Sequence, residues 1–356
     1  MPDRQPCLPA RRRSGHAHWQ GCHVLNHWNP PVTEFATIPV IDVSALHTND
    51  AAAKAALARE FAETYATTGF GYIANHGVDP ALVERVFAAS AAFHALPRRD
   101  KMALALNAQH RGFIPINTST DVNSTLAEVT KPNQSESFMV MREDATDAPP
   151  VQRGDYLAGP NQWPDLAGFR DDVMAYHDAM ARLAAQLIEI VALALHTDPP
   201  TLSAAFEPPT TWLRLLYYPP SPPQASDDLY GSAPHTDFGC LTLLAQDDIG
   251  GLQVQTPAGH WVDAPRIPDT FVVNVGDMLH RWSNGRLRST PHRVINRSGK
   301  PRYSCPFFYD PHVSTVIAPL ASTVSPEQPA AHEPIIFGEF LRSELEAGYQ
   351  QHKPGS

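Results

Sequence analysis

The residues best suited to chemistry in this chain are His235 and Asp237, held in the stretch Pro234-His235-Thr236-Asp237-Phe238-Gly239. On a strand, residues i and i+2 project from one face, so an imidazole and a carboxylate spaced this way can approach the same ion. A third ligand must come from elsewhere. His292 is the best placed, because it opens a strand-like run after an Asn284-Gly285 hairpin signal and is followed by Arg302 and Ser304. Two neutral imidazoles and one carboxylate make a facial triad that suits Fe(II) and leaves positions open for substrates and O2. Simpler readings exist. A His-x-Asp tripeptide occurs in ordinary surface loops. With 17 histidines in the chain, His260, His280 and His312 compete for the third place, though each reads more simply as a surface or core residue. The ordered combination sharpens the metal reading: HTDFG, then apolar strand-like runs, then NGRLRSTPHRV, then RYS.

Arg302 and Ser304 share a face on a strand, and a guanidinium beside a hydroxyl suits bidentate capture of a carboxylate. If that face lines the cavity of His292, the pair can hold the far carboxylate of a small dicarboxylate bound at the metal. Tyr218 is a candidate hydrogen-bond donor to the same ligand, with Tyr217 facing the other way; simple packing is the competing role for Tyr218.

The elements that must position these groups change character near Pro208. Beyond it, runs at Trp212–Tyr218, Leu241–Gln246, Gly251–Thr256, Phe271–Val275, Met278–Ser283, His292–Asn296 and Tyr303–Tyr309 alternate with turn signals, which predicts an antiparallel sandwich or barrel. Cys240 and Cys305 fall in predicted strands as small buried residues. Before Pro208 the pattern is mixed. A short strand at Thr37–Val43 precedes a helix over 49–68, capped by Asn49 or Asp50, with Leu57, Phe61 and Tyr65 on one face. A strand over Gly69–Gly77 follows, with His76 as a turn or capping group. A second helix opens at Asp79-Pro80. The longest helical pattern covers Pro164–His196, roughly 45–50 Å if unbroken, and Asp198-Pro199-Pro200 is expected to stop it. Residues 97–163 are polar and weakly periodic, with short strands expected at Arg111–Ile116 and Glu136–Val140. This segment and Pro219–Ser232 are where substrate contacts are expected.

Over 356 residues, 43% apolar and 18% charged side chains are those of a soluble globular protein, and 35 prolines favour strands and turns over a helical bundle. The net charge of −10, without a basic cluster beyond the first residues, speaks against nucleic acid as a partner. No run of 18 apolar residues is present, so no membrane helix is expected. Cys7, Cys22, Cys240 and Cys305 form no CxxC pair, which makes a reducing cytoplasm the default. The sequence carries no signature of an oligomeric state.

Residues 1–36 stand apart, expected as a disordered arm. Through Pro31, Arg4, Arg11, Arg12 and Arg13 are offset only by Asp3, and no helical or strand period appears. His16, His18, Cys22, His23 and His27 match no zinc module. An Arg-rich, acid-poor start resembles a transit peptide, but translated upstream sequence with a true start near Val32 is the preferred expectation, because the folded pattern begins at Thr37. The expected organisation is an arm at 1–36, a helical and mixed region at 37–200 packing on the core, the sheet domain at 201–349, and a tail at 350–356.

From Ile38 to about Tyr349 the chain resembles the Fe(II)/2-oxoglutarate-dependent dioxygenases of the isopenicillin N synthase-like superfamily. The resemblance is carried by IPVIDVS, TGFGYIANHGV, LRLLYYPP, PHTDFGCLTLLAQD, GGLQV, NVGDMLHRWSNGRLRSTPHRV and RYSCPFFYDP. It implies a mainly β fold with flanking helices and a double-stranded β-helix (jelly-roll) core. It implies Fe(II) held by His235, Asp237 and His292. 2-Oxoglutarate would chelate that iron through its 2-oxo and C1 carboxylate oxygens, with its C5 carboxylate on Arg302 and Ser304 and a contact from Tyr218. Many plant members carry Asn-Tyr-Tyr before the Pro-Pro; here Leu216 takes the first place, so the Asn contact is lost. Phe308 resembles an aromatic that stacks on substrate in some members. The implied reaction hydroxylates, desaturates or cyclises a small organic substrate with O2, releasing succinate and CO2. Two alternatives stay open at this level: an oxidase of the same fold in which Arg-x-Ser binds a substrate carboxylate, and a non-catalytic metal- or ligand-binding jelly roll.

Overall fold

The computed structural model describes residues 34–119, 131–221 and 229–348. The expectations for an N-terminal arm, its histidine and cysteine cluster and a C-terminal tail fall almost wholly outside these residues, as does the middle of Pro219–Ser232.

Twelve strands build two facing sheets. In chain order they are β1 (Val40–Asp42), β2 (Phe70–Ala74), β3 (Gly112–Ile114), β4 (Glu136–Met141), β5 (Thr210–Tyr218), β6 (Ser232–His235), β7 (Leu241–Gln246), β8 (Leu252–Gln255), β9 (Trp261–Asp263), β10 (Thr270–Val275), β11 (His292–Val294) and β12 (Arg302–Asp310). The main sheet runs β1-β2-β10-β7-β12-β5-β4-β3 and the second β6-β11-β8-β9. Among these twelve strands only β1 and β2 pair with each other in parallel. Segment 37–200 therefore contributes four strands to the main sheet itself. The side chains that alternate inward from both sheets meet in one apolar layer, with Phe70, Tyr72, Leu216, Tyr218 and Val272 from the main sheet against Leu252, Val254 and Val294 from the second. This is the sandwich that the strand pattern predicted and the jelly-roll core that the resemblance implied.

The outer face of the main sheet is covered by helices Ala51–Thr67, Pro80–His94 and Phe169–Ala194. Asp50 caps the first, its Oδ1 accepting from the Ala52 and Ala53 amides at 2.8 and 3.1 Å. Asp79 caps the second, with Pro80 at the position where a missing N–H costs nothing. The long helix buries Val173, Tyr176, Met180, Leu183, Leu187 and Val191, the stripe read from the sequence. It is shorter than expected, 26 residues or about 39 Å. The chain turns away at His196 (φ 54°), and Asp198-Pro199-Pro200 opens a new short helix, Pro199–Ser203, instead of ending the old one. Among the described residues no helix is long and apolar enough to cross a membrane.

One predicted strand is a helix. Met278–Ser283 forms most of the short helix Asp277–Trp282, so His280 lies on a helix and Asn284-Gly285 follows a helix end, not a hairpin. A six-residue run mixing apolar and polar side chains satisfies either period, and local hydrogen bonding decides: the helix's first amides bind backbone carbonyls of the HTDFG turn. Cys240 sits just ahead of β7, not within it.

Candidate active site

His235 ends β6 and His292 begins β11, and the two are cross-strand partners in the second sheet. This pairing brings together residues far apart in the chain, with ring centroids 4.3 Å apart. Asp237 follows in the turn after β6. Its Oδ1 is 3.7 Å from Nε2 of each histidine. One potential ligand atom from each residue lies within 4.8 Å of the others, and this is the one such group of three among the described residues.

The ring orientations are set from behind. His235 Nδ1 is 2.7 Å from the Ala233 carbonyl and His292 Nδ1 is 3.3 Å from the Thr290 carbonyl. A carbonyl only accepts, so each Nδ1 carries the proton and each Nε2 turns its lone pair towards the other two groups. Asp237 Oδ2 accepts from Thr242 Oγ1 at 2.5 Å and from Asn274 Nδ2 at 2.7 Å, which leaves Oδ1 for an ion. Burial alone would push this carboxyl up, but His292, His235 and the two hydrogen bonds outweigh it and hold Asp237 below the ordinary carboxylate value. Two imidazole nitrogens and one ionised oxygen, converging and with the other ring nitrogens and Oδ2 already satisfied, are the donor set of an open facial site. Of the competing histidines, His260 is exposed, His280 Nδ1 donates to the Leu287 carbonyl and His312 bonds Ser314, all away from this group. His76 closes a turn, its Nδ1 accepting from the Val78 amide.

Close backbone packing holds the turn in place. Helix Asp277–Trp282 docks on it through Asp277 N to Asp237 O (2.8 Å) and Met278 N to Gly239 O (2.9 Å). A Cβ on Gly276 would collide with the Gly239 carbonyl and lie 2.9 Å from Asp237 O, so only glycine fits. Asp277 accepts from Ser289 at 2.6 Å and Thr236 at 3.2 Å, and burial pushes its carboxyl up to about 6. On the other flank, Phe70 of β2 packs edge-on against the His292 ring at 5.2 Å. Gly69 (φ 67°) lets the chain press against Thr290, whose hydroxyl donates to the Thr68 carbonyl at 2.9 Å.

Arg302 opens β12, opposite Tyr218 of β5, and is fully buried. Its guanidinium lies 4.7 Å from the Tyr218 ring centroid. Three contacts orient it: Nε to Gly250 O at 2.7 Å, Nη1 to Ser304 Oγ at 3.2 Å and Nη2 to Gln246 Oε1 at 3.3 Å. Of five N–H groups, two remain. Among the described residues no carboxylate stands at ion-pair distance from it. Tyr218 lies in the apolar layer between the sheets, so this cation and the triad border one interior. Phe308 is on the same face of β12, with Trp212 on one side and Thr242, which holds Asp237, on the other. Leu216 is buried opposite Ser304.

The sequence motifs thus come together in space. The groups behind them were not read from the sequence. Thr242, Asn274 and Gln246 act only through strand register, although a lone Asn inside the apolar run Phe271–Val275 was a visible signal.

Two family matches divide the chain. Residues 209–311 match the 2OG-Fe(II) oxygenase superfamily, and residues 38–166 match the N-terminal region of non-haem dioxygenases, described for morphine synthesis. A 2-oxoglutarate-Fe(II) type oxidoreductase, hxnY of Emericella nidulans, is 35% identical over 87% of this chain and 90% of its own. The 2-oxoglutarate-dependent dioxygenase citB of Monascus ruber is 36% identical over 80% and 87%. A full-length Neurospora crassa protein, crystallised in complex with alpha-KG and thymine, superposes with a TM-score of 0.77 at 30% identity, covering 87% of this chain and 96% of that one.

Proposed function

Because the chain belongs to the 2OG-Fe(II) oxygenase superfamily and is an Fe(II)- and 2-oxoglutarate-dependent dioxygenase, we propose that His235, Asp237 and His292 hold the iron. Arg302, Ser304 and Tyr218 hold the far carboxylate of 2-oxoglutarate, and Phe308 contacts the primary substrate. The observation that carries the co-substrate reading is Arg302, a fully buried guanidinium with two uncommitted N–H groups and no carboxylate within ion-pair distance among the described residues. A buried cation of this kind is costly unless a ligand supplies the anion.

Bound Fe(II) and 2-oxoglutarate supply activation of O2, with succinate and CO2 as co-products and a C–H bond of the substrate oxidised. The protein's part is positioning. Asn274 and Thr242 keep Asp237 ionised and aimed, the Ala233 and Thr290 carbonyls fix both imidazoles, and Tyr218 with Ser304 flank Arg302 so that a dicarboxylate lies in one direction only. The apolar layer around Phe70, Val254 and Val294 excludes water from that interior. The substrate is a small organic molecule, as is the thymine bound by the Neurospora protein, and the outcome is hydroxylation, desaturation or cyclisation. Location in the cytoplasm fits two buried cysteines, Cys240 and Cys305, that are free thiols.

The test is succinate release by the Fe(II)-loaded protein as a function of 2-oxoglutarate. Arg302→Ala is expected to raise the apparent KM for 2-oxoglutarate by about tenfold or more with a smaller change in kcat. An unchanged KM would mean a different anchor.

A further inference from the structure

The interior face of β5 carries a second cation that none of these roles uses. Alternation along β5 sets Trp212, Arg214, Leu216 and Tyr218 on one face, and Leu216 and Tyr218 belong to the layer between the sheets. Arg214 therefore faces the same interior, between the Leu216–Ser304 and Trp212–Phe308 cross-strand pairs. On the far side of β12, Phe308 is paired with Thr242, whose hydroxyl donates to Asp237. Two strand spacings, about 10 Å, separate the β5 and β7 backbones, a gap that one small molecule in front of the triad spans.

Arg214 is partly buried, and its Nε donates to Ser137 Oγ at 2.9 Å. Ser137 is itself fully buried, so that end of the guanidinium is fixed. Among the described residues, the four N–H groups on its two Nη atoms make no further bond and no carboxylate stands at ion-pair distance. The other arginines in this part of the sheet are committed. Arg142 pairs with Asp144 at 2.9 Å, and Arg111 donates to three carbonyls. A guanidinium held beside an apolar interior without an anion is a receptor awaiting one. 2-Oxoglutarate has no carboxylate left for it, since one is assigned to the metal and the other to Arg302.

We infer that Arg214 receives a carboxylate of the primary substrate, and that this substrate is an organic acid whose apolar or aromatic body lies against Phe308 and Trp212. The inference rests on the iron and 2-oxoglutarate reading above.

The test uses the full chain loaded with Zn(II) in place of iron and saturated with 2-oxoglutarate, so that no turnover occurs. Benzoate, phenylacetate and hexanoate are titrated calorimetrically beside their primary amides. At least one acid is expected to bind about tenfold tighter than its amide. Arg214→Gln, which can keep the bond to Ser137, should reduce that ratio to below about twofold, and Arg214→Lys should restore part of it, with the 2-oxoglutarate Kd unchanged in both. The inference is overturned if no acid is preferred over its amide in the wild type, binding of none included, or if the preference survives in Arg214→Gln. Loss of 2-oxoglutarate affinity in Arg214→Gln overturns it as well, by assigning Arg214 to the co-substrate. Failure of the underlying reading looks different: the wild-type Zn(II) protein would then not bind 2-oxoglutarate at all.

Discussion

Asp237 divides its work between two oxygens, one turned to the histidines and one bonded to Thr242 and Asn274. The consequences of losing each differ. Asp237→Ala removes an anionic ligand and is expected to abolish both tight Fe(II) binding and turnover. Asn274→Ala keeps the ligand but releases its orientation, and should weaken Fe(II) affinity by about 10–100-fold with the fold intact. Metal titration of both variants checks the order, and an Asn274→Ala protein as weak as Asp237→Ala would contradict this division. At this scale the ligand set could be read in advance, because HTDFG, His292 and Arg302-x-Ser304 are matters of residue type and spacing. Asn274 and Thr242 were not, since a side chain that acts across two strands declares itself only once register is known. Arg214 was hidden for the same reason: in sequence it is one of 27 basic residues, and its significance is the acid it lacks.

The six residues Asp277–Trp282 tie the turn carrying Asp237 to the rest of the molecule. Their strand-like spelling misled because a helix shorter than two turns has hardly any period to display. β6 is shorter than the spacing of His235 and Asp237 implied: the strand ends at His235 and Asp237 lies in the turn beyond it. Pro234 is accommodated because β6 lies at the edge of its sheet, where a missing N–H is tolerated. Gly276→Ala should cost about 1–3 kcal/mol, since the new methyl meets backbone carbonyls that cannot move without shifting the turn. A lower urea midpoint accompanied by weaker Fe(II) binding would show the coupling, and unchanged values of both would remove the helix from this role. The same helix gives the protein an acid-sensitive side. Arg281 donates to the Glu333 carbonyl, and the His280 and His332 rings meet at 5.6 Å. Burial, with His280 and Arg281 adding to it, depresses His332 to about 4, and burial lowers His280 as well. Between about pH 4 and 6.5 the unfolded chain then binds protons that the folded chain refuses. Stability is full above about 6.5 and falls as pH drops towards 4. Urea midpoints measured across this range should fall less steeply for His332→Gln, and coincident slopes would rule out this source.

At the level of the whole molecule, the sheet order joins segments that are distant in the chain. β2 lies between β1 and β10, and β4 lies between β5 and β3, so the two edges of the main sheet come from residues before 142 while its middle comes from residues after 209. The division into a mixed region and a sheet domain, legible as a change of period near Pro208, is thus a division of sequence pattern more than of structure. A fragment beginning at residue 201 would lack β2 beside β10, β4 beside β5 and the helices over the outer face. It is expected to show no cooperative thermal transition, and a sharp transition in that fragment would establish an independent unit. The pairing of β2 with β10 also sets an order of events during synthesis. Phe70 of β2, which rests on the His292 ring, leaves the ribosome long before Thr270–Val275 exists to pair with it. At about 5–20 residues per second that interval is on the order of ten seconds or more. Throughout it, one edge of β2 and the apolar faces of the early helices are bare in the nascent chain, so the yield of native protein depends on how well chaperones shield that half-built sheet until β10 arrives.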